Sequence, residues 1–239
     1  MTTITDTRNM TLVDLPLIRR LNGTGTILDS ETGLTRDARG QHSLHLSSLL
    51  FPRGLYTLVA RAEDSQPVVG QFRYRPDDLI AHIVYIAPSL DDIRENNVWL
   101  HILDAMAREA GKHGAQSLVA EVETSSQLFE TLRTANFATY ARQTVWRHDP
   151  LTSPVTDDLP SLHHETDDDQ IGIMALIANT VPTMLQQIAM PNSDMDGLVY
   201  RHEQRVEAYI AVSEGKFGVY LLPFLHPDVM DRDAEIITQ

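Results

Sequence analysis

No cysteine occurs in the 239 residues. That excludes disulfides, thiolate metal sites and a cysteine nucleophile. Positive charge is also scarce. Lys and Arg number 19 against 33 Asp and Glu, a formal net charge of −14. A dedicated nucleic-acid binder needs a basic face to neutralise phosphates, so that class is set aside. The acid excess serves solubility, and it leans toward a cationic partner such as an amine. No apolar run approaches the roughly 20 residues that a membrane helix needs. Residues 1–9 are polar and Thr-rich, so no secretory signal is expected and a cytoplasmic location is. Walker loop, dinucleotide fingerprint and nucleophile elbow are all missing. Gly23-Thr24-Gly25 lacks the preceding strand and the following lysine of a phosphate loop. His163-His164-Glu165 has metal-like composition without ligand spacing and reads as solvated loop, so no metal is expected.

What is present is ordinary globular material, 42% hydrophobic and 22% charged, with ample length for a core. Asp14 before Leu15-Pro16-Leu17-Ile18 marks a helix start, ended by Asn22-Gly23. Thr24 to Gly40 reads as a loop, and His42 to Phe51 as a short helix. Tyr56–Arg61, Val68–Tyr74 and Leu79–Ala87 are three strands with short turns, an antiparallel meander. After an acidic turn at 91–97, a helix from Val98 places Val98, Trp99, Ile102, Leu103, Met106 and Ala110 on one face. Ser117–Val122 is a buried strand, and Thr124 with Gln127 is a capping-box pattern opening a helix that Asn136 ends. Phe137–Arg147 reads as a last long strand. The class is therefore α+β, a mixed sheet flanked by helices.

A weak repeat divides the chain. Residues 1–148 form one domain, 149–169 a linker with Pro150, Pro154 and Pro160, and 170–239 a partial second module. The second module has a helix, then another three-strand meander. Ala87-Pro88-Ser89-Leu90 and His226-Pro227-Asp228-Val229 stand at matching places. A period above 100 residues is domain duplication and not a solenoid.

The element order over about residues 10–148 resembles the GNAT superfamily of acyl-CoA-dependent N-acetyltransferases. Two local features carry the resemblance: the strand–turn–helix over 79–110, and Leu128-Phe129-Glu130-Thr131-Leu132 running to Asn136-Phe137. The two halves together resemble a tandem GNAT-like protein with a degenerate cofactor loop and an incomplete second module. In this family the cofactor pyrophosphate sits on an Arg/Gln-x-x-Gly-x-Gly/Ala loop, whose glycines let backbone N–H groups reach the phosphates. The register here is Arg94-Glu95-Asn96-Asn97-Val98-Trp99, with Asn97 and Trp99 in place of small residues. Two readings stand: a surviving cofactor loop, or a helix start whose acids match the dipole and whose Trp99 is core.

The resemblance implies acetyl-CoA as co-substrate. Its pantetheine would lie along Tyr85, Ile86 and Ala87, and its phosphates would meet Arg94, Asn97, Val98 and Trp99. The family's helix tyrosine, which protonates the leaving thiolate, falls on Leu132, so Tyr140 is the substitute candidate. The strand 79–87 has no carboxylate, which leaves His82 as the candidate base. A packed His82 and a half-buried strand tyrosine are the plain alternatives. The implied function is acetyl transfer to a small-molecule or peptide amine. The alternative is an inactive GNAT-like module that binds or scaffolds, with a homo-oligomer compatible with either.

Overall fold

The computed structural model describes residues 4–21, 23–35, 54–62, 66–76, 78–90, 97–147, 162–188, 190–191 and 195–232. The chain divides into two compact units. One is Met1–Ala138 with Lys216–Gly218, the other Thr139–Gly215 with Val219–Gln239.

The first unit opens with strand β1 (Ile4–Asn9), a 3-10 turn (Leu12–Asp14) and helix α1 (Leu15–Leu21). Strand β2 (Thr26–Ile27) and helix α2 (Ser30–Thr35) follow. They lie in the stretch expected to be loop. The local cause is Asp29, whose Oδ2 accepts from the Thr32 backbone N–H at 3.0 Å and caps α2. Strands β3 (Leu55–Ala62), β4 (Val68–Arg73) and β5 (Ile80–Ala87) are the expected antiparallel meander, with β1 added beside β3. The expected helix at 42–51 lies outside the described residues.

Helix α3 (Asn97–His113) buries the predicted face, with Val98, Trp99, Ile102, Leu103 and Met106 fully enclosed. It ends at Gly114, whose φ of +107° only glycine adopts easily. Strand β6 (Ser117–Val119) then pairs parallel with β5, so α3 is the crossover of a β–α–β unit. The sheet order is β1-β3-β4-β5, with β2 and β6 both on the far side of β5. One face of the sheet packs α3, through Phe72, Ile83 and Ile86. The other packs Ile18 and Leu21 of α1 through Val59, Val84 and Tyr85. Burial on both faces explains why β5 is apolar almost throughout.

Helix α4 (Gln127–Thr134) begins at Ser126, whose Oγ accepts from Phe129 N–H at 3.4 Å. The cap is therefore Ser126 and not the expected Thr124. Asn136 ends the helix with φ 65°, the left-handed conformation its sequence predicts. The expected strand over 137–147 does not form. Among the described residues no sheet pairing involves it, and residues 138–147 are exposed. Sequence alternation can suggest a strand, but only a ladder with a neighbour makes one.

The second unit contains β7 (His163–His164), a 3-10 turn (Asp167–Asp169), α5 (Gln170–Thr180), α6 (Thr183–Gln186), and strands β8 (Asp196–His202), β9 (Arg205–Gly215) and β10 (Gly218–Leu225). The sheet order is β10-β9-β8-β7. Ile173, Leu176 and Ile177 of α5 pack on Val199, Tyr209 and Phe224. Residues 163–169, expected to be linker, carry β7 and the cap of α5.

One arrangement recurs inside both units. Thr11 N–H donates to Asp14 Oδ2 at 3.0 Å, and Thr166 N–H to Asp169 Oδ2 at 2.9 Å. Both aspartates are fully buried. Asp14 takes Arg61 from β3 at 2.8 Å and Arg8 from β1 at 2.7 Å. Asp169 takes Arg201 Nε from β8 at 2.6 Å and faces His163 of β7 at 3.4 Å. Burial would raise the Asp14 carboxyl, but the bonds from Arg8 and Thr11 outweigh it and hold the pKa at about 2. The same balance, set by Thr166 and Arg201, holds Asp169 well below the usual carboxylate range.

Candidate functional site

The site implied by the sequence centres on β5. Its first half is held on both sides, by β4 and by β6. The parallel pairing to β6 spans only Ile80–Ser117, Ala81–Leu118 and His82–Val119. Beyond that point β6 ends and leaves β5.

The ladder between β4 and β5 contains an irregularity. Gln71 faces Tyr85, yet Phe72 faces Ile83, so Val84 is an extra residue on β5. A bulge of this kind turns two consecutive side chains to one face. Val84 and Tyr85 accordingly both pack toward α1. Strict alternation along 79–87 cannot reveal this, because the extra residue shows only against its partner strand.

His82 is half-buried, opposite Arg73 on β4 and Val119 on β6. Burial, then the charge of Arg73, lowers its pKa; Asp29, Asp78 and Glu31 pull the other way. Arg73 itself lies 3.7 Å from Asp29 and 3.3 Å from Glu31. His82 thus sits in a charged cluster at the α2 side of β5, neutral at pH 7 and chemically able to accept a proton. Asp29, Glu31 and Arg73 were not singled out in the sequence. Asp29-Ser30-Glu31 reads as a helix cap once Ser30–Thr35 is known to be helical, and that is the only local signal.

Tyr85 is buried, and its hydroxyl donates to Leu21 O at 3.2 Å. Burial pushes the phenol up to about 12. Ile86 and Ala87 are fully buried core residues. Trp99 is also fully enclosed, and its indole N–H donates to Pro88 O at 3.2 Å. The ring has turned into the core, as one of the two sequence readings expects. Val98 is core as well. Of the helix-start residues Asn97 alone is exposed, so Val98 and Trp99 offer a ligand only their backbone N–H groups. Arg94 lies outside the described residues. Leu132 is buried in the α3–α4 core. Tyr140 is exposed and belongs to the second unit, not to the unit that carries His82.

The edge of β5 beyond His82 is taken by the chain itself. Thr26 pairs with Ile86 and Ile27 with Tyr85, antiparallel. Leu28 N–H donates to Val84 O at 3.0 Å, Ser89 N–H donates to Thr24 O at 2.6 Å, and Glu121 N–H donates to Leu28 O at 2.9 Å. Residues 24–28 therefore lie between β5 and the chain that follows β6. Among the described residues no group of three or more acidic, His or Cys side chains is placed to hold a metal.

No protein-family model and no curated protein matches the chain. Solved structures similar to it include an aminoglycoside N-acetyltransferase in complex with CoA, at 14% identity and TM-score 0.42, covering 61% of this chain and 100% of that one. Another is a possible acetyltransferase from Clostridium difficile 630, at 13% identity and TM-score 0.44, covering 62% and 99%. A third is a ribosomal-protein-alanine N-acetyltransferase from Brucella melitensis biovar Abortus 2308, at 17% identity and TM-score 0.39, covering 60% and 100%. Likeness at these identities and scores adds nothing about activity. The first unit's own layout, an antiparallel meander followed by a crossover helix and a parallel strand that soon leaves β5, is a mixed sheet flanked by helices, the α+β class expected from the sequence.

Proposed function

We propose that the first unit is an acyl-CoA-dependent N-acyltransferase, moving an acetyl group from acetyl-CoA to an amine. The observation that carries this reading is the end of the β5–β6 ladder at His82 and Val119, just before the β5 bulge and the start of α3. Diverging parallel strands leave backbone N–H and C=O groups of one edge for an extended segment, the place that residues 24–28 take in this structure. A helix N-terminus following the same strand supplies free N–H groups to an anion.

On this reading the backbone of Tyr85, Ile86 and Ala87 holds the pantetheine arm, and the N–H groups at Asn97–Trp99 face the phosphates. Acetyl-CoA supplies an activated thioester carbonyl when bound. The amine nitrogen forms the new bond to that carbonyl carbon, the carbon–sulfur bond breaks, and the sulfur leaves as thiolate, which becomes thiol with the second proton that the nitrogen loses. His82, held neutral, takes the proton that the ammonium must lose. The net charge of −14 suits a cationic acceptor, a small-molecule or peptide amine. A cytoplasmic location goes with this reading. Among the described residues no helix is long and apolar enough to cross a membrane.

Two further parts belong to the proposal. The second unit is a partial copy of the first, supported by the matching Asp14 and Asp169 arrangements. A second function, a non-catalytic module that binds or scaffolds in a homo-oligomer, is favoured by one observation: Leu132 sits in the core where the family has its proton donor. Isothermal titration with acetyl-CoA decides between the two. Saturable heat supports the transferase, and no heat at near-millimolar acetyl-CoA sinks it.

A further inference from the structure

We infer that Thr24–Ile27 is a self-inhibitory segment, occupying the β5 edge that the acyl-CoA arm takes and leaving it when that ligand binds, with Leu28 as its fixed end in the core. The inference rests on the acyltransferase reading above and concerns the regulation of that same site.

The geometry is specific. β2 is a two-residue strand paired to Tyr85 and Ile86, two of the residues assigned to the pantetheine arm. Leu28 bridges the gap, donating to Val84 O and accepting from Glu121 N–H. The backbone groups that diverging strands would leave open are thus satisfied from within the chain. An acyl-CoA arm and residues 24–27 cannot use the same edge at once.

The contact is close, yet short enough to release. Thr26 Oγ1 lies 3.2 Å from Ser89 Oγ, and Ser30 N–H donates to Glu121 Oε2 at 3.0 Å. Gly25 lies against the Tyr85 ring so tightly that a Cβ there would overlap the ring atoms. Gly23 and Thr24 are exposed, and Gly25, Thr26 and Ile27 are only half-buried. Leu28, 1% exposed in the main core, is the fixed end of the segment, whereas the two-residue strand before it is half-buried and belongs to the low-stability end of a fold, from which moving elements are drawn. Central strand β4, by contrast, is buried almost throughout.

The test uses the full chain and acetyl-CoA as probe. The sequence has no cysteine, so Thr26→Cys with Ser89→Cys places the only two thiols where the two hydroxyl oxygens now meet. Oxidation pins the segment to the end of β5, and reductant frees it. Gly25→Ala pushes the segment off the Tyr85 ring. The expected result is at least a tenfold loss of acetyl-CoA affinity in the oxidised double variant, restored by reductant, and tighter binding by Gly25→Ala. Equal affinity of the oxidised and reduced forms overturns the inference and leaves the acyltransferase reading standing. Absence of binding in every form, Gly25→Ala included, overturns both. Hydrogen exchange on the wild type adds an arm that needs no ligand. The amide of Ser89, bonded to Thr24 O, is expected to exchange at least tenfold faster than those inside α3. Equal protection marks the segment as a fixed part of the sheet and overturns the inference.

Discussion

The indole N–H of Trp99 donates to the carbonyl oxygen of Pro88 at 3.2 Å, tying the first turn of α3 to the end of β5. The two residues are 11 apart, and the bond spans the turn between strand and helix. Trp99→Phe keeps an aromatic ring in the core but leaves a buried carbonyl without that donor. Loss of such a bond costs about 1–3 kcal/mol. Urea unfolding should show a lower midpoint at an unchanged slope. An unchanged midpoint would mean the bond contributes nothing.

Asp14 and Asp169 each end a buried network at the head of a helix. Asp14→Ala removes the carboxylate that Arg8 and Arg61 share and the acceptor for the Thr11 amide. Loss of a cap of this kind costs roughly 0.5–2 kcal/mol, and the arginine contacts add to it. The same loss is expected for Asp169→Ala, read by thermal unfolding. The second unit should lose protection locally in hydrogen exchange if the two units unfold separately.

The depressed carboxyls also set the acid limb of stability. An unfolded Asp titrates near about 3.9, and folded Asp14 near about 2. The unfolded chain therefore binds more protons in that interval. The stabilisation is full above about pH 4 and is lost as pH falls toward 2. Unfolding free energy measured from pH 6 down to 2.5 should drop steeply below about pH 4 in the wild type. Asp14→Asn should flatten that slope.

His82 has the opposite chemistry and the same sign. Its pKa is lowered by burial and then by Arg73, so the folded form resists protonation. Stability from this group is present above the ordinary histidine pKa of about 6.5 and falls as pH drops below it. An NMR titration of the His82 ring should give a midpoint below about 6.5. Arg73→Gln should move that midpoint upward. On the acyltransferase reading, His82→Gln should lower kcat/KM by roughly 10²-fold and remove the acid limb of the pH–rate profile.

Gly70 of β4 lies directly against α3. A Cβ there would lie 2.8 Å from Met106 Sδ and 3.0 Å from Ile102 Cγ1. Gly70→Val should overpack this contact and cost about 1–3 kcal/mol. Met106→Ala in the same protein should recover part of the loss, because the clash is with the flexible end of that side chain. A double variant no more stable than Gly70→Val alone would place the strain elsewhere.

Much of this architecture follows from local pattern. The meander over 55–87, the buried face of α3 and the left-handed Asn136 all rest on chain-neighbour physics: period-two and period-3.6 burial and the φ preferences of single residues. Three of the features that did not show in the sequence each have one reason. Residues 137–147 alternate like a strand, yet pairing needs a neighbour that alternation does not report. The bulge at Val84 exists only relative to β4. Asp167-Asp168-Asp169 looks like a solvated acid run, but Asp169 is buried because Arg201, 32 residues away, and Thr166 meet it.

The sequence by itself determined the three-strand meander over β3, β4 and β5, and that β5 leads into an amphipathic helix, because those choices depend on neighbours along the chain. Tertiary structure decided what stands on the two edges of β5 and where Trp99 points. Thr26 reaches Ile86 across 60 residues of chain, and no local preference encodes a contact that backbone hydrogen bonding between distant segments creates.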